Sequence, residues 1–326
     1  MTTEQPGTRD PEVARGVLRV RLPHPVPEIR SVNVFLVEGG DGWSLVDGGE
    51  ETPDAERVLG ETMKGAGLAP SDIKRVFLTH RHGDHLGFAA KLEAAGAELI
   101  MHGPERQAML ADAANGAWAP RQVVWLARHG VPRDDLGQNG MGFTPREPYR
   151  FDHVTEVADG ALLDLGGRPM RVMRTPGHTE NHAVLIDERE GLLFSGDHLL
   201  PLTSVVWFNS SFTADNPLGD YLDSMRRLAE LRPPMVMPGH GQVIADPSAR
   251  LKAIFALHEE LFEKVYDSLG DEPLTAYDVA RLVFPQRSTA FAARTATLEM
   301  LSHLRHLARQ GRVQELAGEP VRWRRS

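Results

Sequence analysis

Apolar and polar residues alternate along the first fifty positions in the pattern of β-strands. Strands are predicted at three places: residues 17–22, 32–37 and 43–46. The turn Gly39-Gly40-Asp41-Gly42 joins the second strand to the third. Helical spacing then follows over residues 53–65, and residues 73–78 form a short apolar strand. The chain is therefore expected to begin with antiparallel strands and continue with alternating helices and strands.

The same helix and strand order recurs later in the chain. A helix over residues 86–95 precedes a strand over residues 98–101. Further strands are predicted at five places: residues 161–165, 170–174, 183–186, 192–194 and 235–237. A helix over residues 218–231 precedes the last of them. Two similar halves of this kind predict an α/β fold, a four-layer αββα sandwich in which helices cover the outer faces of two packed sheets.

Two segments depart from this pattern. Residues 104–150 carry helical patches, glycines, prolines and large apolar side chains, which indicates a helical insertion or lid. An amphipathic helix over residues 250–269 leads to a terminal segment whose first helix begins at Thr275. A longer helix over residues 290–310 and a hairpin then complete a winged-helix-like unit. We expect a catalytic domain over residues 1–250, and a linker helix with this small domain over residues 251–326.

Composition limits the chemistry that the chain can carry. Of its 326 residues, 41% are hydrophobic, 25% are charged and none is cysteine. Without thiolates, a metal must bind to histidine and carboxylate side chains. No apolar run resembles a signal peptide or reaches the roughly 18 residues of a membrane span. The protein is therefore expected in the cytoplasm, without a membrane partner.

Charge is unevenly distributed along the chain. The formal net charge is -9, but residues 281–326 carry nine arginines and three acids, so residues 1–280 carry -15. An acidic catalytic domain repels phosphate backbones, whereas the basic tail invites them.

The segment Thr79 to His85 reads T-H-R-H-G-D-H and follows a predicted buried strand. Three histidines and an aspartate so close together gain little from proximity unless a metal neutralises and orders them. Three more short strands end in a small residue followed by a ligand: His178, Asp197 and His240. Seven candidate metal ligands result: His80, His82, Asp84, His85, His178, Asp197 and His240.

These motifs resemble those of the metallo-β-lactamase-fold hydrolase superfamily over residues 15–250. Its H-x-H-x-D-H motif is matched by the four ligands between His80 and His85, and its later ligands by the other three. The resemblance implies two divalent metal ions, one held by His80, His82 and His178 and the other by Asp84, His85 and His240. It also implies that Asp197 bridges the ions. Asp47 would brace the ligand loop by hydrogen bonds.

The closest resemblance is to the LACTB2-like branch, which has a C-terminal winged helix. Residues 175–182 match its T-P-G-H-T-x-x-H pattern, and residues 193–197 match L-F-S-G-D. Some members of that branch are described as endoribonucleases. Antibiotic hydrolysis is disfavoured, because class B1 enzymes use a cysteine ligand and class B3 enzymes lack the bridging aspartate.

Several other residues are weighed as site residues. His182 is a candidate for contact with the ligands, and a core histidine is the alternative. His198 follows Asp197 and would point to the opposite side of the strand, so it is not expected to be a ligand. Aromatic and apolar residues could line a substrate pocket, with core packing as the alternative: Trp118, Trp125, Met141, Phe143, Trp207 and Phe208. The remaining histidines considered are expected at the surface: His102, His129, His153, His303 and His306.

The predicted activity is that of a dinuclear metal-dependent hydrolase. Zinc is the metal favoured, with iron or manganese as alternatives at the second position. A hydroxide bridging the two metals would be the nucleophile, and Asp84 would accept or relay the proton. A small-molecule ester or thioester is the favoured substrate. The alternatives are RNA phosphodiester hydrolysis and an inactive nucleic-acid-binding module, and homodimerisation is left open.

Overall fold

Two β-sheets form the centre of the molecule in a computed structural model. It describes residues 12–114, 118–136, 149–202, 206, 215–287 and 289–326, with residues 118–120 described by their backbone alone. The larger sheet has six strands: β1 (Val17–Pro23), β2 (Ser31–Gly39), β3 (Gly42–Val46), β4 (Ile73–Leu78), β5 (Glu98–His102) and β6 (Val154–Val157). They lie side by side in chain order, antiparallel from β1 to β3 and parallel from β3 to β6.

The smaller sheet has five strands: β7 (Leu162–Asp164), β8 (Pro169–Arg174), β9 (Ala183–Asp187), β10 (Leu193–Gly196) and β11 (Val236–Pro238). Their order is β11-β10-β9-β8-β7. All neighbours are antiparallel except β10 and β11, which are parallel. Because β9 runs opposite to both of its neighbours, β8, β10 and β11 point the same way. Their carboxyl ends therefore meet at one edge of the sheet.

Burial on both faces explains why the strands read as apolar runs. In β4, Phe77 packs between the two sheets, whereas Val76 and Leu78 pack towards the outer helices. In β9, Leu185 faces the space between the sheets and Val184 faces the other side. Successive side chains of a strand point to opposite faces, so a strand covered on both faces needs apolar residues at every position.

Helices cover the outer face of the six-stranded sheet: α1 (Pro53–Gly65), α2 (Gly83–Leu86), α3 (Ala89–Ala94) and α4 (Gly103–Ala114). The single helix predicted over residues 86–95 is wrong in its bounds, because the chain forms the separate helices α2 and α3. Strand β6 was not predicted, because it is short and only partly buried.

The second outer layer packs on the five-stranded sheet: α5 (Trp118–Arg128), α6 (Arg133–Leu136), α7 (Pro217–Leu231), α8 (Pro247–Ser268), α9 (Ala276–Val283) and α10 (Ala290–Arg309). Its apolar residues join those of the sheet in one continuous cluster. The predicted four-layer αββα arrangement is confirmed. In the described part of the chain, no helix combines the length and apolarity needed to cross a membrane.

The C-terminal segment has the helix, helix and hairpin order that its sequence predicts. Thr275 accepts a hydrogen bond from the Asp278 backbone and caps α9 in a capping box. After α10 come the paired strands β12 (Val313–Leu316) and β13 (Arg322–Arg325). Leu274 forms a bridge to Trp323 of the hairpin. These elements share the apolar cluster with α7, and the domain boundary near residue 250 stays a prediction.

Candidate metal centre

The candidate ligands lie at the carboxyl ends of strands. His80 follows β4, Asp197 follows β10 directly, and His240 follows β11. His178 lies in the loop after β8, and the remaining ligands lie on the chain between β4 and the end of α2. Four of the seven therefore come from the six-stranded sheet and three from the five-stranded sheet. The structure brings all seven together where these strand ends meet.

Three histidine nitrogens converge in the first group. His80 Nε2 lies 3.0 Å from His82 Nδ1, and His178 Nε2 lies 3.2 Å and 2.9 Å from those two atoms. Burial and neighbouring histidines lower the pKa of His80 well below its ordinary value, and burial with His178 does the same for the pKa of His82. The imidazoles of His80 and His82 are therefore neutral at neutral pH, and their lone pairs are available to a cation.

Carboxylates control the charge of the histidines in the second group, which consists of Asp84, His85 and His240. Asp84 Oδ2 lies 3.2 Å from His240 Nε2 and 3.9 Å from His85 Nε2. Burial alone would lower the pKa of His240, but the facing carboxylates of Asp197 and Asp84 raise it to about 10. For the same reason the pKa of His85 lies well above its ordinary value. In this group, a metal ion would take the place of protons as the positive charge.

Asp197 lies between the two groups. Its Oδ2 is 3.6 Å from His178 Nε2, and its Oδ1 is 3.3 Å from His85 Nε2 and 3.4 Å from His240 Nε2. Both Asp197 Oδ1 and His85 Nε2 are buried and complete no hydrogen bond within the described residues. Buried polar atoms are normally paired, so this geometry fits a bound cation. The ligand atoms form three sets within 4.8 Å: His80, His82 and His178; His80, His85 and Asp197; and Asp84, His85 and His240.

Asp47 holds the ligand loop from the end of β3. Its Oδ1 accepts a 2.8 Å hydrogen bond from the Thr79 backbone N–H, and its Oδ2 accepts one of 3.0 Å from the Thr79 hydroxyl. His85 Nδ1 also donates to Oδ2, at 2.8 Å, which directs His85 Nε2 towards Asp197. Asp47 has a φ of +65°, a conformation that a non-glycine residue adopts at a cost. The bracing role expected of Asp47 would act through these bonds and stays a prediction.

A second set of contacts holds His240. Its Nδ1 lies 2.7 Å from the Ser31 carbonyl, which leaves Nε2 for the centre. Asn33 Nδ2 donates to the carbonyls of Pro238 and Gly241, each at 2.8 Å. A side chain at Gly239 would collide with Asp197, because a Cβ there would lie 2.5 Å from Asp197 Oδ1. The glycine next to His240 therefore allows the backbone to approach Asp197 closely.

Two groups of residues near the ligands were missed from the sequence. Arg81 forms a buried ion pair with Glu105, in which Arg81 Nη1 lies 2.9 Å from Glu105 Oε1. It forms a second ion pair with Asp112, which is partly exposed. His24 Nε2 lies 3.8 Å from Asp84 Oδ2, and its side chain is only 2% exposed. No local pattern indicates either contact, because the partners come from distant elements.

The other histidines do not join the metal sets. His182 is buried with its ring 5.0 Å from that of His80, and its Nδ1 lies 3.0 Å from the Thr175 hydroxyl. His198 is buried between the rings of His182 and Tyr221. The expected surface positions are wrong for three histidines, which are buried because helices and strands cover them: His102, His129 and His303.

The predicted pocket residues are described only in part. Trp125 is half-buried, packs against the apolar cluster and has its ring 4.4 Å from that of His129. For Trp118 only the backbone is described. The remaining four lie outside the described residues: Met141, Phe143, Trp207 and Phe208. Their pocket role stays a prediction.

A family model for the metallo-β-lactamase superfamily matches residues 28–240, about two thirds of the chain. The chain belongs to the metallo-β-lactamase superfamily. Membership makes it a metal-dependent hydrolase, and divalent metal ions are the cofactors of the family. Every residue of the histidine and aspartate cluster lies within the matched range.

Individual relatives agree with this assignment. The probable metallo-hydrolase YqjP of Bacillus subtilis (strain 168) is 32% identical over 278 residues, which cover 82% of this chain and 85% of the relative. The acyl-coenzyme A thioesterase MBLAC2 of Gallus gallus is 29% identical over 218 residues, which cover 64% and 72%. The metallo-β-lactamase family protein TTHA1429 from Thermus thermophilus is similar in structure, with a TM-score of 0.83, 31% identity, and coverage of 96% of this chain and 100% of that one.

Proposed function

We propose that this member of the superfamily is a dinuclear hydrolase that cleaves an ester or thioester of a small acyl substrate. The observation that carries the dinuclear part is the position of Asp197. Its Oδ2 faces the three-histidine group, and its Oδ1 faces the group of Asp84, His85 and His240. A carboxylate with one oxygen towards each group is suited to bridge two cations.

Each residue has a defined part in this proposal. His80, His82 and His178 would hold one ion, and Asp84, His85 and His240 the other, with Asp197 shared between them. When bound, two ions supply Lewis acidity to a substrate carbonyl and acidify water, so that a nucleophile forms at neutral pH. Zinc suits the neutral imidazoles of the first group, and iron or manganese would also suit the second.

Asp84 is our candidate for handling the proton. Burial alone would raise its pKa, but the facing His85 and His240 hold the pKa of Asp84 well below its usual range. The side chain is therefore ionised at neutral pH. Such a low pKa suits a group that relays a proton onwards rather than one that retains it. Its position against both histidines directs the carboxylate into the site.

Two observations support an acyl substrate. One relative is named as an acyl-coenzyme A thioesterase. In addition, residues 1–250, the predicted catalytic domain, contain 25 basic and 35 acidic side chains and so carry a net charge of -10, which disfavours a long phosphate backbone there. A small acyl compound presents much less phosphate than an RNA strand.

The basic C-terminal segment favours RNA hydrolysis as the second candidate. Its nine arginines, however, all have partners within the chain. Five form ion pairs: Arg287 with Glu299, Arg305 with Glu315, Arg309 with Asp215, Arg312 with Glu263, and Arg325 with Asp267. The other four donate to backbone or amide oxygens: Arg281, Arg294, Arg322 and Arg324. Carboxylates of the chain thus pair with five of the nine arginines, which lowers the charge available to an RNA strand and favours the acyl substrate.

Metal analysis and a substrate panel test the proposal. Protein purified without chelator and supplied with zinc, iron or manganese should contain about two metal equivalents per chain. The loaded protein is then assayed with acyl-coenzyme A compounds, simple esters and single-stranded RNA. One equivalent or fewer under every condition would contradict the dinuclear model. Cleavage of RNA alone, with salt-sensitive binding that is lost on removing residues 270–326, would favour the second candidate.

The proposal also places the enzyme in the cytoplasm and allows it to form a homodimer. Cell fractionation tests the location, and light scattering of the purified protein tests the oligomeric state.

A further inference from the structure

The ligand loop is held from a second side by a buried network of charges. Glu105 is fully buried on α4, and its carboxylate accepts three hydrogen bonds from Arg81. Two come from Arg81 Nη1, at 2.9 Å and 3.0 Å, and one comes from the Arg81 backbone N–H, at 3.1 Å. Arg81 Nε donates to Asp112, also on α4, at 2.9 Å. A buried carboxylate and guanidinium are tolerated only when they are paired in this way.

The place of Arg81 in the loop gives the network its significance. Arg81 is the residue between His80 and His82, whose nitrogens lie 3.0 Å apart. The bond from its backbone N–H fixes the peptide that joins His80 to Arg81. The bonds from its guanidinium group fix the direction of the Arg81 side chain. The side chains of its neighbours, His80 and His82, are then held in the opposite direction. Asp47 holds the loop at Thr79 and at His85, whereas Glu105 holds the stretch between them.

The network also joins the centre to the segment that interrupts the fold. Glu105 and Asp112 are seven residues apart, so they lie on the same face of α4, two turns from each other. That helix opens the predicted insertion of residues 104–150. A displacement of α4 would therefore move Arg81, and with it the two histidines beside it.

We propose that Glu105 is a positioning residue for the metal centre: its carboxylate holds Arg81 so that His80 and His82 reach a common divalent cation. This inference rests on the proposed function, because it requires that the three-histidine group bind a metal. Residues that orient metal ligands typically change metal affinity about 10- to 100-fold when they are replaced. A smaller change is expected for Asp112, which contacts only one atom of Arg81 and is partly exposed.

The chain offers a matched control in another buried ion pair. Asp187 is fully buried and pairs with Arg168, 2.6 Å from its Nε, and it also accepts from the Arg189 backbone N–H. It lies at the carboxyl end of β9, which runs opposite to the strands that carry the ligands. Asp187→Asn should therefore weaken a comparable pair without touching the centre.

Zinc affinity of the full chain is measured by competition with a chromophoric chelator for wild type, Glu105→Gln, Asp112→Asn and Asp187→Asn. Each is repeated with His240→Ala, which removes a ligand of the second group and leaves the three-histidine group. We expect Glu105→Gln to lose about 10- to 100-fold in zinc affinity in both backgrounds. Asp112→Asn should lose less, and Asp187→Asn should match its parent. The cobalt(II) absorption spectrum reports ligand geometry. Relative to the parent protein in each background, it should change only for Glu105→Gln and Asp112→Asn.

The outcomes separate this inference from the proposed function. If the wild type binds no zinc, the proposed metal centre fails. If it binds zinc and Glu105→Gln binds it equally well, the positioning role is wrong. An equal loss for Glu105→Gln and Asp187→Asn would also overturn it, because the effect would then be general destabilisation. Thermal unfolding of the zinc-free proteins measures that destabilisation. If Glu105→Gln fails to fold, the zinc affinity of Asp112→Asn tests the inference in its place. An affinity equal to that of the wild type would then overturn the inference.

Discussion

Two clusters of buried histidines occur in this chain, and they are built on opposite principles. In the metal centre, the nitrogens of His80, His82 and His178 converge within 3.2 Å of one another. In the C-terminal helices, His258 Nδ1 contacts His303 Nε2 at 3.1 Å, and His303 Nδ1 contacts the Glu299 carbonyl at 2.8 Å. The first arrangement leaves lone pairs directed at one point, whereas the second joins donors and acceptors in series.

The difference shows that burial of histidine does not by itself indicate a metal. Burial lowers the pKa of His258 to about 3 and that of His303 to about 4, so both are neutral, as His80 and His82 are. The distinguishing features are the convergence of the nitrogens and the carboxylates beside them. In the sequence, these features correspond to ligands at glycine-containing strand ends rather than inside helices.

Removal of the shared carboxylate is the strongest test of this contrast. If Asp197 serves both groups as proposed, Asp197→Ala should reduce metal content from about two equivalents to one or fewer and abolish most turnover. His240→Ala should mainly reduce the second equivalent. Elemental analysis and turnover on the identified substrate provide the measurement. Retention of both metals at the wild-type rate by Asp197→Ala would refute the bridging role.

Acidic pH should lower the stability of the fold by protonating the C-terminal pair, His258 and His303. The pKa values of His258 and His303 are about 3 and about 4 in the fold, against an ordinary value of 6.5. The unfolded chain therefore binds more protons below pH 6.5, so stability is complete above that pH and is lost as the pH falls towards 4. We expect a loss of about 2 kcal/mol per histidine at pH ~5. Other buried histidines, such as His80 and His82, also have lowered pKa values and add to the total loss. Urea unfolding of chelator-treated wild type and of variants lacking His258 or His303, at neutral and acidic pH, isolates the contribution of the pair.

Replacing one member of the pair should separate the two clusters. His303→Leu leaves the His258 nitrogen without its buried partner, at a cost of about 1–3 kcal/mol in the free energy of unfolding. The dependence of stability on pH should also become shallower, because one titrating group has gone. Metal content should remain at the wild-type level. A loss of metal in this variant would show that the two clusters are coupled rather than independent.

The smallest expected effect concerns the start of α9. Thr275→Ala removes the side chain that caps this helix and should cost about 1 kcal/mol in unfolding free energy. Thr275→Ser is the matched control, because serine keeps the hydroxyl and should retain most of the stability. Chemical denaturation provides the comparison, and zinc affinity should be unchanged in both. Equal stability of the alanine and wild-type proteins would refute the capping contribution.

The fold and the ligand cluster were predictable because both depend on local patterns. Strands buried on both faces read as apolar runs. Asp197 follows β10 directly, and His240 follows β11 after a single glycine. The direction of the strands then brings their ends together without further information. The bracing role of Asp47, by contrast, was implied by the family resemblance, and the structure places this residue directly after β3.

What could not be predicted depends on distant partners. Glu105 is 24 residues from Arg81, and no spacing rule connects a loop with a later helix. The burial of His129 and His303 depends on which helices cover them, a property of tertiary packing. Between α2 and α3, the backbone N–H groups of Gly87 and Phe88 donate to the carbonyls of Gly49 and Gly48 instead of continuing one helix. Helical periodicity does not detect such an interruption.

The division of the ligands between the two sheets has a thermodynamic consequence. Four come from the first sheet and three from the second, so an ion in the centre would tie the two halves of the chain together. A ligand that binds only the folded state raises the unfolding midpoint by mass action. The heat resistance of the protein would then follow the free metal concentration of its surroundings. Metal starvation would act on the abundance of the folded chain as well as on its turnover.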